Sequence, residues 1–247
     1  MTDQHDDYDS ELISLVTHEL KTPVGAASGF LDLVEHTGEL TEKQQYFIGR
    51  VRSSLARMEK LIAALLDYTR IHSGIELERS VVNIHALIDE NLDLLRDIAA
   101  QRSITIHLQE ERKALVALVD KRLLGHVISN FLSNAVKYNK TGGNVWVTVK
   151  EQGSTVRVDV RDDGIGINDY AQSRVFDRFY RAVKSNENGK IEGSGLGLAI
   201  SQSIVDLHKG RIWLESKLGE GSTFSFTVPI QPEKETVPEE EKESAES

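Results

Sequence analysis

Ile13-Ser14-Leu15-Val16-Thr17-His18-Glu19-Leu20-Lys21-Thr22-Pro23 decides how the first part of this chain folds. From Ile13 onward, apolar or tolerated residues recur at Val16, Leu20, Pro23, Ala27, Phe30 and Val34. Steps of three and four alternate, which is a heptad stripe with Ile13 at a and Val16 at d. His18 then falls at f, turned away from any partner helix, on a polar strip shared with Ser14, Thr22, Gly25 and Gly29. Pro23 removes the donor for the carbonyl of Glu19, a loss of about 3 kcal/mol unless the helix kinks. An outward imidazole with a neighbouring carboxylate and a mid-helix proline points to chemistry rather than to a packed structural histidine.

The stripe predicts a first helix over Ser10 to Glu35, broken by His36-Thr37-Gly38. A second helix is predicted from Thr41, with Glu42-Lys43-Gln44 as its first turn and its end near His72-Ser73-Gly74. Its stripe is Ile48, Val51, Leu55, Met58, Ile62 and Leu65. One antiparallel hairpin cannot cover its own seam, so the expectation is a homodimer closing a four-helix bundle.

After Gly74 the periodicity changes. Short strands are expected at Val81–Ile84, Ile104–Leu108 and Leu115–Val119, with a helix from His85 to Arg102 between the first two. Asp120 is a good N-cap for a helix through Tyr138. Val145–Val149 and Val156–Val160 alternate as a hairpin closed at Gly153-Ser154. A glycine-rich stretch, a helix over Leu196–His208 and a hairpin of Arg211–Ser216 with Ser222–Ile230 follow. The expected class is α+β in two domains, a helical hairpin followed by an α/β two-layer sandwich.

Composition narrows the function. The chain has 247 residues, no Cys and a formal charge of −10. Thiolate metal sites and disulfides are therefore excluded. The first eleven residues carry five acids and no Lys or Arg, and residues 231–247 carry seven Glu against two Lys. The body between them is formally neutral, so neither nucleic acid nor an anionic membrane is an expected partner. The tail has little to bury and is expected to be a disordered, solvating terminus. No apolar run approaches the ~18 residues of a membrane span, and the acidic start is not a signal peptide. The expected location is cytoplasmic, including as the soluble part of a longer anchored protein.

On the helix after Asp120, Leu124, Val127, Ile128, Phe131 and Ala135 form the apolar face, while Asn130, Asn134 and Lys137 line up opposite. Two Asn in a row on a helix favour a polar guest, and an amide oxygen with phosphate oxygens suits a hard cation such as Mg²⁺. A merely solvated face is the plain alternative. Asp162-Asp163-Gly164-Ile165-Gly166 follows a strand, where Asp162 can accept from an amino group and Gly164 and Gly166 admit a flat ring. Gly193-Ser194-Gly195-Leu196-Gly197 opens a helix, placing glycine amides and a positive helix end toward phosphates. Each motif alone is weak. The spacing is neither a dinucleotide fingerprint nor a Walker loop.

Taken in order, these boxes, with Phe176-x2-Phe179-Tyr180-Arg181 and His18-Glu19-Leu20-Lys21-Thr22-Pro23, resemble the sensor histidine kinases of two-component signalling. The resemblance covers about residues 10 to 230. It implies an acidic N-terminal segment (1–9), a dimerisation and phosphotransfer hairpin (10–74), a Bergerat-type ATP-binding domain (75–231) and an acidic tail (232–247). It implies ATP and Mg²⁺ as ligands, with Asn134 the metal ligand, Asn130 behind it and Asp162 reading adenine. Tyr138 and Phe179 would flank the base or the lid, and Lys137 and Arg181 would meet phosphates. Gly193, Gly195, Leu196 and Gly197 would close the phosphate end, residues 182–192 would form the lid, and Thr223 would touch the purine edge. His18 would take the γ-phosphoryl group with Glu19 accepting its proton, then pass the group to an aspartate of a response-regulator receiver domain. Glu19-x-x-Thr22 matches the pattern tied to phosphatase activity. The alternatives are an ATPase of the same nucleotide fold and a non-enzymatic dimeric scaffold. Such ATPases carry Glu where this chain has Asn130, and an amide cannot act as the base that activates water.

Overall fold

A computed structural model of the chain describes residues 3–72, 76–110, 114–182 and 194–230; the side chains of residues 3–19, 57, 60, 61, 64, 67–72 and 110 lie outside that description. Helix α1 (Asp3–His36) and helix α2 (Glu42–His72) pair as a hairpin. α1 thus starts before the predicted Ser10. α2 begins where the sequence placed it, because Thr41 and Gln44 cap each other. The Thr41 N–H donates to Gln44 Oε1 at 2.9 Å, and the Gln44 N–H reaches Thr41 Oγ1 at 3.4 Å.

The hairpin seam differs from the predicted stripe. Val24 with Ala27 and Leu31 packs on Leu55, Ile62 and Leu66. Among the described side chains of the expected α1 stripe only Ala27 joins this seam, while Leu20, Pro23, Phe30 and Val34 are exposed; Ile13 and Val16 lie outside the described side chains. On α2 the positions seven apart, Ile48, Leu55 and Ile62, are buried, and Val51 and Met58 are exposed. A 3.6-residue helix can carry two adjacent apolar stripes, and the heptad count merged them. Phe30, Leu33, Tyr46 and Phe47, each more than half exposed, belong to the second, uncovered stripe. Arg52 fastens the two helices near the turn, donating to Asp32 at 2.9 Å and Glu35 at 2.5 Å.

The remainder is a sheet layer under helices. Strands β1 (Arg79–Asn83) and β3 (Val116–Asp120) pair antiparallel. Strands β2 (Thr105–Glu110), β4 (Asn144–Gln152), β5 (Thr155–Asp162), β6 (Arg211–Lys217) and β7 (Gly221–Pro229) form a second sheet in the order β2-β4-β5-β7-β6. Among the described residues only the β2–β4 pair is parallel. The helix predicted over His85–Arg102 is two, α3 (Ile84–Asp93) and α4 (Arg96–Gln101). Neither Gly nor Pro marks the break at Leu94-Leu95. Helices α5 (Lys121–Lys137) and α7 (Gly197–Leu207) match their predicted spans closely, and a short α6 (Asp169–Gln172) was not predicted. The core lies between α5, α7 and the sheet, where Phe131 meets Phe224 and Phe226 at ring distances of 5.4 and 5.9 Å.

Both ends of α5 are fixed. Asp120 Oδ1 accepts from the Leu123 N–H at 3.0 Å, the expected N-cap. The Asp120 N–H donates to His208 Nε2 at 3.0 Å, and His208 Nδ1 lies 2.8 Å from the Ile204 carbonyl. That pair of partners requires a neutral ring protonated at Nδ1, and burial holds its pKa below the ordinary histidine value. At the other end the Arg102 guanidinium donates to the carbonyls of Val136, Lys137 and Asn139. Those of Val136 and Lys137 are orphan carbonyls of the α5 end, and a cation there also faces the negative end of the dipole. Arg102→Met removes the clamp while keeping bulk. The expected loss is about 2 kcal/mol in urea unfolding; a change under about 0.5 kcal/mol would show that water replaces the guanidinium without penalty.

Candidate functional site

The polar side of α5 opens onto a cavity of about 240 Å³ between that helix, the ends of β5 and β7, and the start of α7. Asn130, Asn134, Lys137 and Tyr138 line it from the helix. The Asn130 amide donates to Ser201 Oγ at 2.9 Å, and Ser201 in turn donates to the Gly197 carbonyl at 2.9 Å. Asn134 Nδ2 reaches Asn130 Oδ1 at 3.4 Å. The second amide is thus braced by the first, which is braced by α7. Asn134 Oδ1 is left as an acceptor with no protein donor among the described residues.

Glycines set the clearances. A Cβ on Gly197 would stand 2.5 Å from Asn130 Oδ1, so only glycine lets α7 start against that amide. Gly195, at φ +72°, crosses the backbone of Phe179 so closely that a Cβ would lie 2.9 Å from its Cα. The Phe179 N–H donates to the Gly195 carbonyl at 2.9 Å, and Phe179 itself sits at φ +61°. That left-handed conformation is unfavourable for a residue with a Cβ and is held here by the crossing chain.

Asp162 closes the opposite wall. It ends β5, is 4% exposed, and accepts the Gly164 N–H at 2.9 Å. Burial pushes its carboxyl up to about 6, against the lowering effect of the Gly164 and Ser222 backbone donors and with a small push from Asp163. An acceptor kept this dry gains most from a ligand that brings its own N–H. Tyr138 has its phenol pKa raised by burial, partly offset by Arg181. Lys137 Nζ lies 4.8 Å from the Tyr138 ring centre. The cavity therefore sets one desolvated carboxylate against two cations, the charge pattern that suits a ligand with a donor-bearing ring and an anionic chain. Among the described residues no three His, Asp or Glu cluster to hold a metal ion. Any cation here would rely on amide oxygens and on the ligand's own oxygens.

The structure brings together around this cavity Asn130, Asn134, Lys137, Tyr138, Asp162, Gly166, Arg181, Gly195 and Gly197. Gly164 lies just behind, where a Cβ would meet the Tyr138 carbonyl at 2.4 Å. Leu196 is buried in the core instead. Phe179 is not in the lining; its ring is exposed, and Tyr180 lines the wall in its place. Thr223 is also absent. It pairs with Arg161 and Glu215 on β5 and β6, whereas Ser222 pairs with Asp162 and lines the cavity. Strand parity puts neighbours on opposite faces, so the expected residue was one position off. Ser133, Ile165, Ile167, Val175, Leu198 and Phe224 are further wall positions that sequence reasoning did not single out. Thr22 is exposed on α1, while the side chains of His18 and Glu19, Gly193 and lid residues 183–192 lie outside the described residues, as does the 232–247 tail. The helix of His18 is described through that position.

Residues 9–74 match the family model of the His Kinase A (phospho-acceptor) domain. Residues 119–232 match that of the histidine kinase-, DNA gyrase B- and HSP90-like ATPases. The chain is 32% identical over 229 residues to the sensor histidine kinase WalK of Bacillus subtilis, covering 91% of this chain and 37% of WalK. It is 30% identical over 237 residues to the sensor-like histidine kinase SenX3 of Mycolicibacterium smegmatis, covering 96% of this chain and 61% of SenX3. Among solved structures, full-length ShkA in complex with AMPPNP superposes with a TM-score of 0.76 at 28% identity, over 89% of this chain and 45% of ShkA. The chain thus spans about a third to three fifths of the length of these relatives. Among the described residues no helix is long and apolar enough to cross a membrane.

The Asp162 carboxyl gives a stability signature. Its pKa is raised in the folded state, so the protonated form is favoured by folding. Its contribution is full below the unfolded value near 4 and is lost as pH rises through about 6. Asp162→Asn lacks this term. Between pH 4 and 8 the stability difference, variant minus parent, should rise by roughly 2–3 kcal/mol in urea titrations. A difference flat across that range would mean the carboxyl is solvated.

Proposed function

Because the chain belongs to the sensor histidine kinases of two-component signalling, of which it comprises the catalytic core, we propose that it autophosphorylates on His18 from ATP and passes the phosphoryl group to a response-regulator aspartate. The observation that carries the reading is one cavity flanked by Asn130, Asn134 and Lys137 on one side and by buried Asp162 on the other. Residues 10–74 would be the dimerisation and phosphotransfer hairpin, and residues 75–231 the ATP-binding domain.

Asp162 accepts from the exocyclic amine of adenine, with Ser222 and Tyr138 beside the base. The triphosphate runs toward the start of α7, where Gly195 and Gly197 leave room. Lys137 and Arg181 place positive charge on the phosphate oxygens. Asn134, braced by Asn130, would hold a Mg²⁺ ion arriving with the nucleotide, which supplies further neutralisation of phosphate charge. The lone pair of a neutral His18 nitrogen forms the new N–P bond at the γ-phosphorus as the bond to the bridging oxygen of the departing ADP breaks. The proton on the other ring nitrogen passes to Glu19, one residue on. Thr22, one turn along, orients water for the reverse task, hydrolysis of the phosphorylated receiver. The exposed second stripe of the hairpin, with Phe30, Val51 and Met58, is the contact of a homodimer.

Labelled ATP tests this directly. Acid-labile, base-stable label should appear on the chain, vanish in His18→Ala, and move to a cognate receiver domain. ADP release without label would assign a plain ATPase, and neither product a scaffold. Gly197→Ala should fold, since only the Asn130 amide must move, yet label at least about tenfold more slowly, the rate equivalent of about 1.4 kcal/mol. Unchanged labelling would detach Asn130 from the chemistry. Val51→Glu with Met58→Glu should halve the mass seen by light scattering; an unaltered mass would place the dimer contact elsewhere.

A further inference from the structure

Among the described residues, helices cover one face of the five-stranded sheet. Burial alternates along β4 and β5, with Val145, Val147, Val149, Val156, Val158 and Val160 turned to the helices. The opposite face carries both tryptophans of the chain, each against arginine. Trp146 pairs across strands with Arg161, whose guanidinium carbon lies 5.1 Å from the ring centre, and His107 stacks on Trp146 at 5.6 Å and 15°. Trp213 is flanked by Arg157 at 4.8 Å and Arg211 at 5.7 Å. Beneath them Asp159 accepts from Arg157 Nε at 2.7 Å and Ser225 Oγ at 2.6 Å. Arg157 is thereby neutralised, but Arg161 and Arg211 have no carboxylate within 4.0 Å among the described residues. A guanidinium laid on an indole keeps its edge donors free in a fixed plane.

A cationic, aromatic face is unexpected on a chain of net charge −10. Its complement is in the same chain, since residues 231–247 hold seven Glu and two Lys. The segment starts beside the face. β7 ends at Pro229, the Ile230 N–H donates to the Ser154 carbonyl at 2.9 Å, and Thr227 sits between its partners Arg157 and Arg211. Fully extended, residues 231–247 reach at most roughly 55–60 Å, and five strands are only ~20 Å across. Single exposed ion pairs are weak, but tethering raises the local concentration to about millimolar.

We propose that the open face of the sheet docks the chain's own acidic segment 231–247, its carboxylates meeting Arg161 and Arg211 where they lie on Trp146 and Trp213. This is independent of the nucleotide site. Because both indoles lie on this face, tryptophan signals report on it alone. Indole N–H resonances and acrylamide quenching are compared between the full chain and a variant with the seven Glu of 231–247 replaced by Gln. The parent should show shifted indole resonances and lower quenching, and the difference should disappear near 1 M salt, where the screening length is about 3 Å. It should also disappear in R161Q/R211Q with unchanged circular dichroism. A peptide of residues 231–247 added to the Gln variant should restore the parent shifts at about millimolar concentration. Identical indole signals in parent and Gln variant at low salt would overturn the proposal. So would indoles that respond to an oligonucleotide or a separate acidic protein but not to the peptide.

Discussion

The rotational setting of α5 is the constraint on which the rest depends. One side of this helix must bury Leu124, Val127, Ile128 and Phe131 in the core, and that fixes where Asn130, Asn134 and Lys137 point. A helix turns about 100° per residue, so a slip of one position would send the amides away from the cavity. Two polar clamps prevent it. Asp120 and His208 hold the first turn to the end of α7, and Arg102 holds the last turn to the chain before β2. The same helix end carries Tyr138, whose carbonyl accepts from Ile165, so the Asp162 turn is registered on α5 as well.

The site then follows from proximity. Close approach at Gly197, Gly195 and Gly164 brings three separate segments within contact of one another, and each contact excludes a side chain for a stated steric reason. What remains open between them is lined by two braced amides, two cations and one dry carboxylate. Such a cavity is shaped less by any one motif than by the order in which they occur along the chain.

Sequence periodicity read the elements well and the seams poorly. Asp120, Thr41 and the alternating valines announced α5, α2 and the β4–β5 hairpin, because capping and strand parity are local properties. The hairpin seam was not legible, since a heptad count cannot separate two adjacent apolar stripes of which one packs within the hairpin; Val24 and Leu31 fell between the expected positions. Ser222 was legible in principle, because it follows from parity once Asp162 is placed opposite. Arg102 was not, as nothing near it in sequence signals that it crosses to the end of α5. The break between α3 and α4 has no local mark either. Charge segregation on the open sheet face stayed hidden inside a body that sums to neutral, because net charge says nothing of facing.

In the function proposed for this chain, α5 and the end of β5 would jointly read an adenine nucleotide with its metal. Calorimetric titration of ADP with and without Mg²⁺ tests it most directly. The account predicts that Asp162→Asn removes the preference for adenine over guanine nucleotide, while Asn134→Ala removes the metal dependence and leaves the base preference intact. Nucleotide binding that retains both properties in both variants would contradict it.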